Sequence, residues 1–157
     1  MSEQRRPLVS HIFTADPSAH VFNGKIYIYP SHDIPHDGED NDDGDEYRME
    51  DYHILSMDGP DAPCVDHGCA LHMRDVPWVG KQMWVPDGPF TYRGRIMEPV
   101  LGWTTHHSIV EYRGKWYLFH HDCELSNGIN HRRCVKFTEL TIRPDGTIET
   151  IRPYEGE

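Results

Sequence analysis

The chain holds 157 residues, room for one domain of ordinary size. Its 15 Lys and Arg against 26 Asp and Glu leave a net charge of -11, which repels a phosphate backbone and an anionic membrane surface alike. Nucleic acid and membrane are therefore excluded as expected partners. The opening "MSEQRRPLVS" lacks the apolar centre of a secretion signal, and no run approaches the roughly 20 apolar residues of a membrane helix, so the expectation is a soluble, cytoplasmic protein. In that setting Cys64, Cys69, Cys123 and Cys134 are expected as free thiols.

In chain order the pattern is one of strands. "HVFNGKIYIYPS" (His20 to Ser31) is an apolar run, an Asn-Gly turn and an aromatic alternation, which is a hairpin signal. The acidic run "HDGEDNDDGDEYRMED" (His36 to Asp51) follows and reads as a solvated loop, since the EF-hand order of calcium ligands ending in Glu is absent. "CVDHGC", with His67 inside it and His72 nearby, touches on zinc, but its spacing is not Cys-x2-Cys and no second pair answers it. "PFTYRGRIMEP" (Pro89 to Pro99) reads as a further strand pair.

"SIVEYRGKWYLFHH" (Ser108 to His121) then repeats the first hairpin, with Arg113-Gly114 as its turn. A third hairpin is readable in "VKFTELTIRPDGTIETIRP", turning at Pro144-Asp145-Gly146. No segment keeps helical periodicity, and 13 Gly with 12 Pro suit many short strands, so the fold class is all-β. Repeated hairpins separated by loops suggest a propeller of antiparallel four-stranded blades.

The stretches "TADPSAHVFNGKIYIYPSHD", "DYHILS", "DHGCALHMRDVPWVGKQMWVPD", "GWTTHHSIVEYRGKWYLFHHD" and "HRRCVKFTELTIRPDGTI" together resemble glycoside hydrolase family 43, five-bladed propellers that include arabinofuranosidases and xylosidases. The resemblance implies that Asp16, Asp87 and His106 gather around one central channel. It implies that Asp16 is the general base of an inverting hydrolysis, that His106 helps hold a channel metal or water, and that Arg132 contacts sugar, with Arg133 one residue away. It also implies a small arabinofuranosyl or xylosyl carbohydrate as substrate, and if the channel holds a metal, its donors, carboxylates, water and one or two histidines, are a hard set that favours calcium. Trp84, His32 and Asp33 join Arg132 as expected substrate contacts.

Length stands against a complete ring. A blade takes about 40 to 50 residues, so five need roughly 200 or more. By the resemblance, residues 11–87 are the first blade and the start of the second, while 88–157 are the end of the fourth and the fifth, within one shortened domain. The junction Asp87-Gly88 omits the part of the family pattern that carries the "EGP" general acid. Asp87, Glu98 and Asp33 are the candidate replacements, together with a carboxylate from another subunit. Open blade faces predict a homo-oligomer, most simply a dimer. The alternative reading is a non-catalytic sugar- or metal-binding remnant.

Overall fold

The computed structural model describes residues 6–37, 41, 44–75 and 95–154. They form two antiparallel sheets. The first is a four-stranded meander in the order β1 (Phe13–Phe22), β2 (Lys25–Asp33), β3 (Met49–Met57), β4 (Val65–His72). The second runs β5 (His107–Tyr112), β6 (Lys115–Asp122), β7 (Cys134–Leu140). The all-β expectation holds, and the first sheet has the strand number and order of a propeller blade. Among the described residues no helix is long and apolar enough to cross a membrane.

The two repeated hairpins turn in the same way. Asn23 and Gly24 have φ of 51° and 74°, and Arg113 and Gly114 have 51° and 78°. Two successive positive φ values define the two-residue turn whose twist matches a hairpin, and a glycine in the second place takes that angle without a Cβ clash. The third expected hairpin keeps its turn, with Gly146 N–H donating to Arg143 O at 2.9 Å, but its pairing shrinks to one bridge, Ile142 to Ile148. The second sheet therefore has three strands, and the chain beyond it is held by single bridges, including Met97 to Ile151. Most of "PFTYRGRIMEP" and the Asp87-Gly88 junction lie outside the described residues.

The sheets pack face to face. Ile26, Ile28, Leu55 and Met57 of the first meet Tyr117, Phe119, Val135 and Phe137 of the second in one buried cluster. Phe119 stacks on Phe137 with ring centres 5.3 Å apart. Burying each such side chain contributes about 1.5–3 kcal/mol, so this interface is the main source of cohesion. It is reinforced along the backbone, where Leu8 N–H donates to Val135 O (2.9 Å) and Thr14 N–H to Arg133 O (2.7 Å). These bonds bring the start of β1 beside the start of β7. The opposite face of the first sheet carries a row of rings, His20 with Phe22 and Tyr29, and Phe22 with Tyr27, and Phe22 is 52% exposed. None of the four cysteines is in a disulfide.

Candidate functional site

Asp16 sits in an interruption of β1, where the register with β2 shifts between Ala15 and Ser18. Its φ is 48°, a left-handed conformation that costs a non-glycine residue roughly 1–3 kcal/mol and persists only where its surroundings over-determine it. The surroundings do so here. The Asp16 N–H donates to Nδ1 of His121 at 3.0 Å, and Nε2 of His121 donates to Thr104 O at 3.1 Å. That pair of bonds fixes His121 as the neutral Nε2–H tautomer. Burial and then the neighbouring Arg133 push its pKa down to about 4, so it stays neutral at pH 7. A bulge of this kind re-aims a side chain, and here the carboxylate turns toward the ends of β2, β5 and β7.

Four groups meet that carboxylate. Nδ1 of His106 donates to Oδ1 at 2.5 Å, Ser31 Oγ donates to Oδ2 at 3.2 Å, and Arg133 Nη1 stands 3.6 Å from Oδ2. His121 Nδ1 lies 3.7 Å from Oδ1. Burial alone would raise the pKa of Asp16, but the His106 hydrogen bond and the Arg133 charge outweigh it and hold the group below the usual carboxylate value. The side chain of His106 is 75% exposed, so water screens its share, and the buried Arg133 is the firmer cause.

Arg133 is itself clamped. Its Nε and Nη2 donate to the two oxygens of Asp33 at 2.8 and 2.6 Å, its backbone N–H adds a third bond at 3.0 Å, and the Tyr47 ring lies 4.9 Å beneath the guanidinium. Tyr47 belongs to the acidic stretch expected to be a solvated loop. The described end of that stretch instead folds back on the site, with Glu46 buried.

The segment that delivers His106 crosses close over β6. At Gly102, where φ is 116°, an added Cβ would lie 2.5 Å from Cys123 Sγ, so a side chain there would push the segment away. Trp103 N–H bonds Asn130 Oδ1 (3.1 Å) and Thr105 Oγ1 bonds His121 O (2.8 Å), which carries the chain on to His106.

The expected site residues divide accordingly. Asp16 and His106 are brought together. Asp33 is 1% exposed and wholly engaged by Arg133, so it is no sugar contact and no free acid, which corrects both expectations. Arg133 reaches Asp16, whereas no contact joins Arg132 to it among those the described residues make. His32 bonds Asp51 at 3.0 Å rather than anything at Asp16. Glu98 pairs with Arg95 at 2.9 Å, and its N–H is tied to Ile151. Asp87 and Trp84 lie outside the described residues.

His120 and His121, the pair that ends "SIVEYRGKWYLFHH", are both buried, at 4% and 1% exposure. His121 and Ser31 are contributors the sequence did not single out. The signal for His121 was the pair "HH" ending an apolar alternation, one member of which must face inward. "CVDHGC" gathers no metal of its own, because His67 bonds Ser56 Oγ (2.8 Å) and Asp66 bonds His53 (2.9 Å).

As for a channel ion, calcium takes 6–8 oxygen ligands, and the one carboxylate at this point is already engaged by His106, Ser31 and Arg133. An ion held beside His106 would draw most of its ligands from water.

No protein-family model matches the chain. A xylosidase/arabinosidase 43A of Humicola insolens is 29% identical, the match covering 94% of this chain and 99% of that protein. Among solved structures, a glycoside hydrolase family 43 β-xylosidase/α-arabinofuranosidase from a compost metagenome, in complex with xylotriose in a calcium-free form, superposes with a TM-score of 0.88 at 29% identity, covering 98% and 99% of the two chains. A family 43 subfamily 1 enzyme of Xanthomonas citri complexed with xylose gives 0.82 at 25% identity, covering 96% and 94%. Likeness of sequence along nearly its whole length and a shared fold make this chain a relative of the glycoside hydrolase family 43 xylosidases and arabinosidases.

Proposed function

We propose that the chain is a glycoside hydrolase for xylosyl or arabinofuranosyl linkages, working by inversion with Asp16 as the general base. The observation that carries this reading is the strained Asp16, held ionised by His106 and Arg133 and locked by neutral His121. In an inverting reaction the base takes a proton from water as that water attacks the anomeric carbon. An ionised carboxylate whose lone pairs are oriented by fixed donors suits that task. Arg133, immobilised by Asp33, keeps the carboxylate charged without leaving its own position.

An inverting reaction also needs a partner acid. It must stand about 6.5–9.5 Å from the base across the sugar. Asp33 is closed off and Glu98 is paired with Arg95. Asp87 or a carboxylate of a second copy fills the role in this reading. In this reading the two sheets are a first and a last blade of a shortened ring. Lowering the pKa of Asp16 also weakens it as a base, so turnover without a strong acid depends on the leaving group. A sugar-binding remnant is the second reading, favoured by the closure of Asp33.

Hydrolysis of aryl xylosides and arabinofuranosides across a series of leaving groups separates the two. The hydrolase reading expects turnover that rises steeply as the leaving group becomes more acidic. Saturable xylose or xylotriose binding with no turnover, even for the most acidic leaving group, would establish the remnant instead.

A further inference from the structure

Away from Asp16, the first sheet holds a second constellation. His32 of β2 and Asp51 and His53 of β3 present three ligand atoms that all lie within 4.8 Å of one another. His32 Nδ1 is 3.0 Å from Asp51 Oδ1, and His53 Nε2 is 3.5 Å from Asp51 Oδ2. In a tetrahedral zinc site with bonds near 2.0–2.1 Å, neighbouring ligand atoms stand about 3.3 Å apart, and the three atoms here are already gathered within 4.8 Å. The two imidazoles meet edge to face at 5.1 Å, and the three side chains are 22%, 12% and 12% exposed, sheltered but reachable.

Proton placement at His53 gives the strongest argument. Its Nδ1 faces the Asp66 carboxylate at 2.9 and 3.1 Å, and Asp66 is anchored by Gly68 N–H (2.7 Å) and His11 (2.8 Å). Nδ1 therefore carries the proton, and in a neutral ring the Nε2 lone pair then points at the Asp51 carboxylate. That leaves Nε2 as the nitrogen that would take a metal ion, on the side where His32 and Asp51 also stand. A carboxylate on the far nitrogen of a ligating histidine is also the arrangement that orients such ligands and sharpens their basicity. Cys69 is the cross-strand neighbour of His53.

We propose that His32, Asp51 and His53 bind a divalent transition-metal ion of the zinc class, at a site separate from the Asp16 carboxylate. Two imidazoles and one carboxylate are a borderline ligand set that selects zinc-like ions over calcium. The ion would tie β2 to β3 where the ladders are irregular, between Ser31 and Asp33 and on either side of His53.

The test is titration of the metal-stripped full chain with Zn2+ by calorimetry, alongside thermal melting. One equivalent is expected to bind and to raise Tm by several degrees. In Asp51→Asn, which keeps the side-chain shape, and in His53→Ala, affinity for that equivalent should fall at least tenfold, whereas His106→Ala should retain it. X-ray absorption of the zinc-loaded unmutated chain, which does not depend on any variant folding, should show two imidazole ligands. Absence of zinc binding, binding unchanged in Asp51→Asn, loss in His106→Ala, or a spectrum without two imidazoles would each overturn the proposal.

Discussion

The backbone N–H of Asp16 donates to the ring of His121 at 3.0 Å, joining residues 105 positions apart on different sheets. This contact couples a strained backbone to a buried neutral imidazole. Neither residue is in a comfortable state alone. His121→Ala leaves the Asp16 N–H without its acceptor, which costs about 1–3 kcal/mol, and opens a cavity beneath the bulge. We expect Tm to fall and kcat on aryl xylosides to drop at least tenfold while KM changes little, with partial rescue by His121→Asn, whose amide oxygen can accept the same bond. Equal loss in the Ala and Asn variants would remove this positioning role.

Acid should destabilise the protein earlier than its carboxylates dictate. Burial pushes the pKa of both His120 and His121 from 6.5 to about 4. Between those values the unfolded chain binds more protons than the folded one, so stability rises with pH across the window. Their contribution is complete above 6.5 and is lost as pH falls toward 4, on the order of 3 kcal/mol for each histidine. Asp16, whose folded pKa lies below 3.8, adds a further loss only beneath that value. Urea denaturation at pH 7.5, 6.0, 5.0 and 4.5 reads this directly; a midpoint that stays level across the series would contradict it.

The ringed face of the first sheet predicts self-association. Phe22 at 52% exposure beside Tyr27, Tyr29 and His20 is an aromatic strip with no covering layer among the described residues. Tyr52, Val65 and Leu71 add exposed apolar surface on the same sheet. Light scattering at low micromolar concentration should give twice the 18.3 kDa chain mass, and Phe22→Ser should shift it toward monomer. A stable monomer in the unmutated protein would mean that no second copy supplies the acid.

Much of this arrangement was legible before any coordinates, and the rest was not, for identifiable reasons. The twin turns at Asn23-Gly24 and Arg113-Gly114 are local, since a glycine after a turn-former between alternating runs specifies its own geometry. That Asp16 and His106 lie together was expected from the family resemblance, and the structure does bring them into contact. The roles of Asp33 and Arg133 were hidden, because their pairing spans 100 positions and depends on which of two adjacent arginines points inward. His32 was likewise misread: alternation along β2 sends it to the face opposite Asp33. Tyr47 was concealed by its company, an acidic run whose composition gives no hint that its end folds beneath a guanidinium.

The most direct test of the central claim is side-by-side hydrolysis of an aryl xyloside by the unmutated chain and by Asp16→Asn. The amide keeps the shape and the bond to His106 but cannot accept a proton from water, so turnover is expected to fall by roughly 10²–10⁴-fold with Tm little changed. Equal turnover in the two proteins would contradict the assignment of Asp16 as the base.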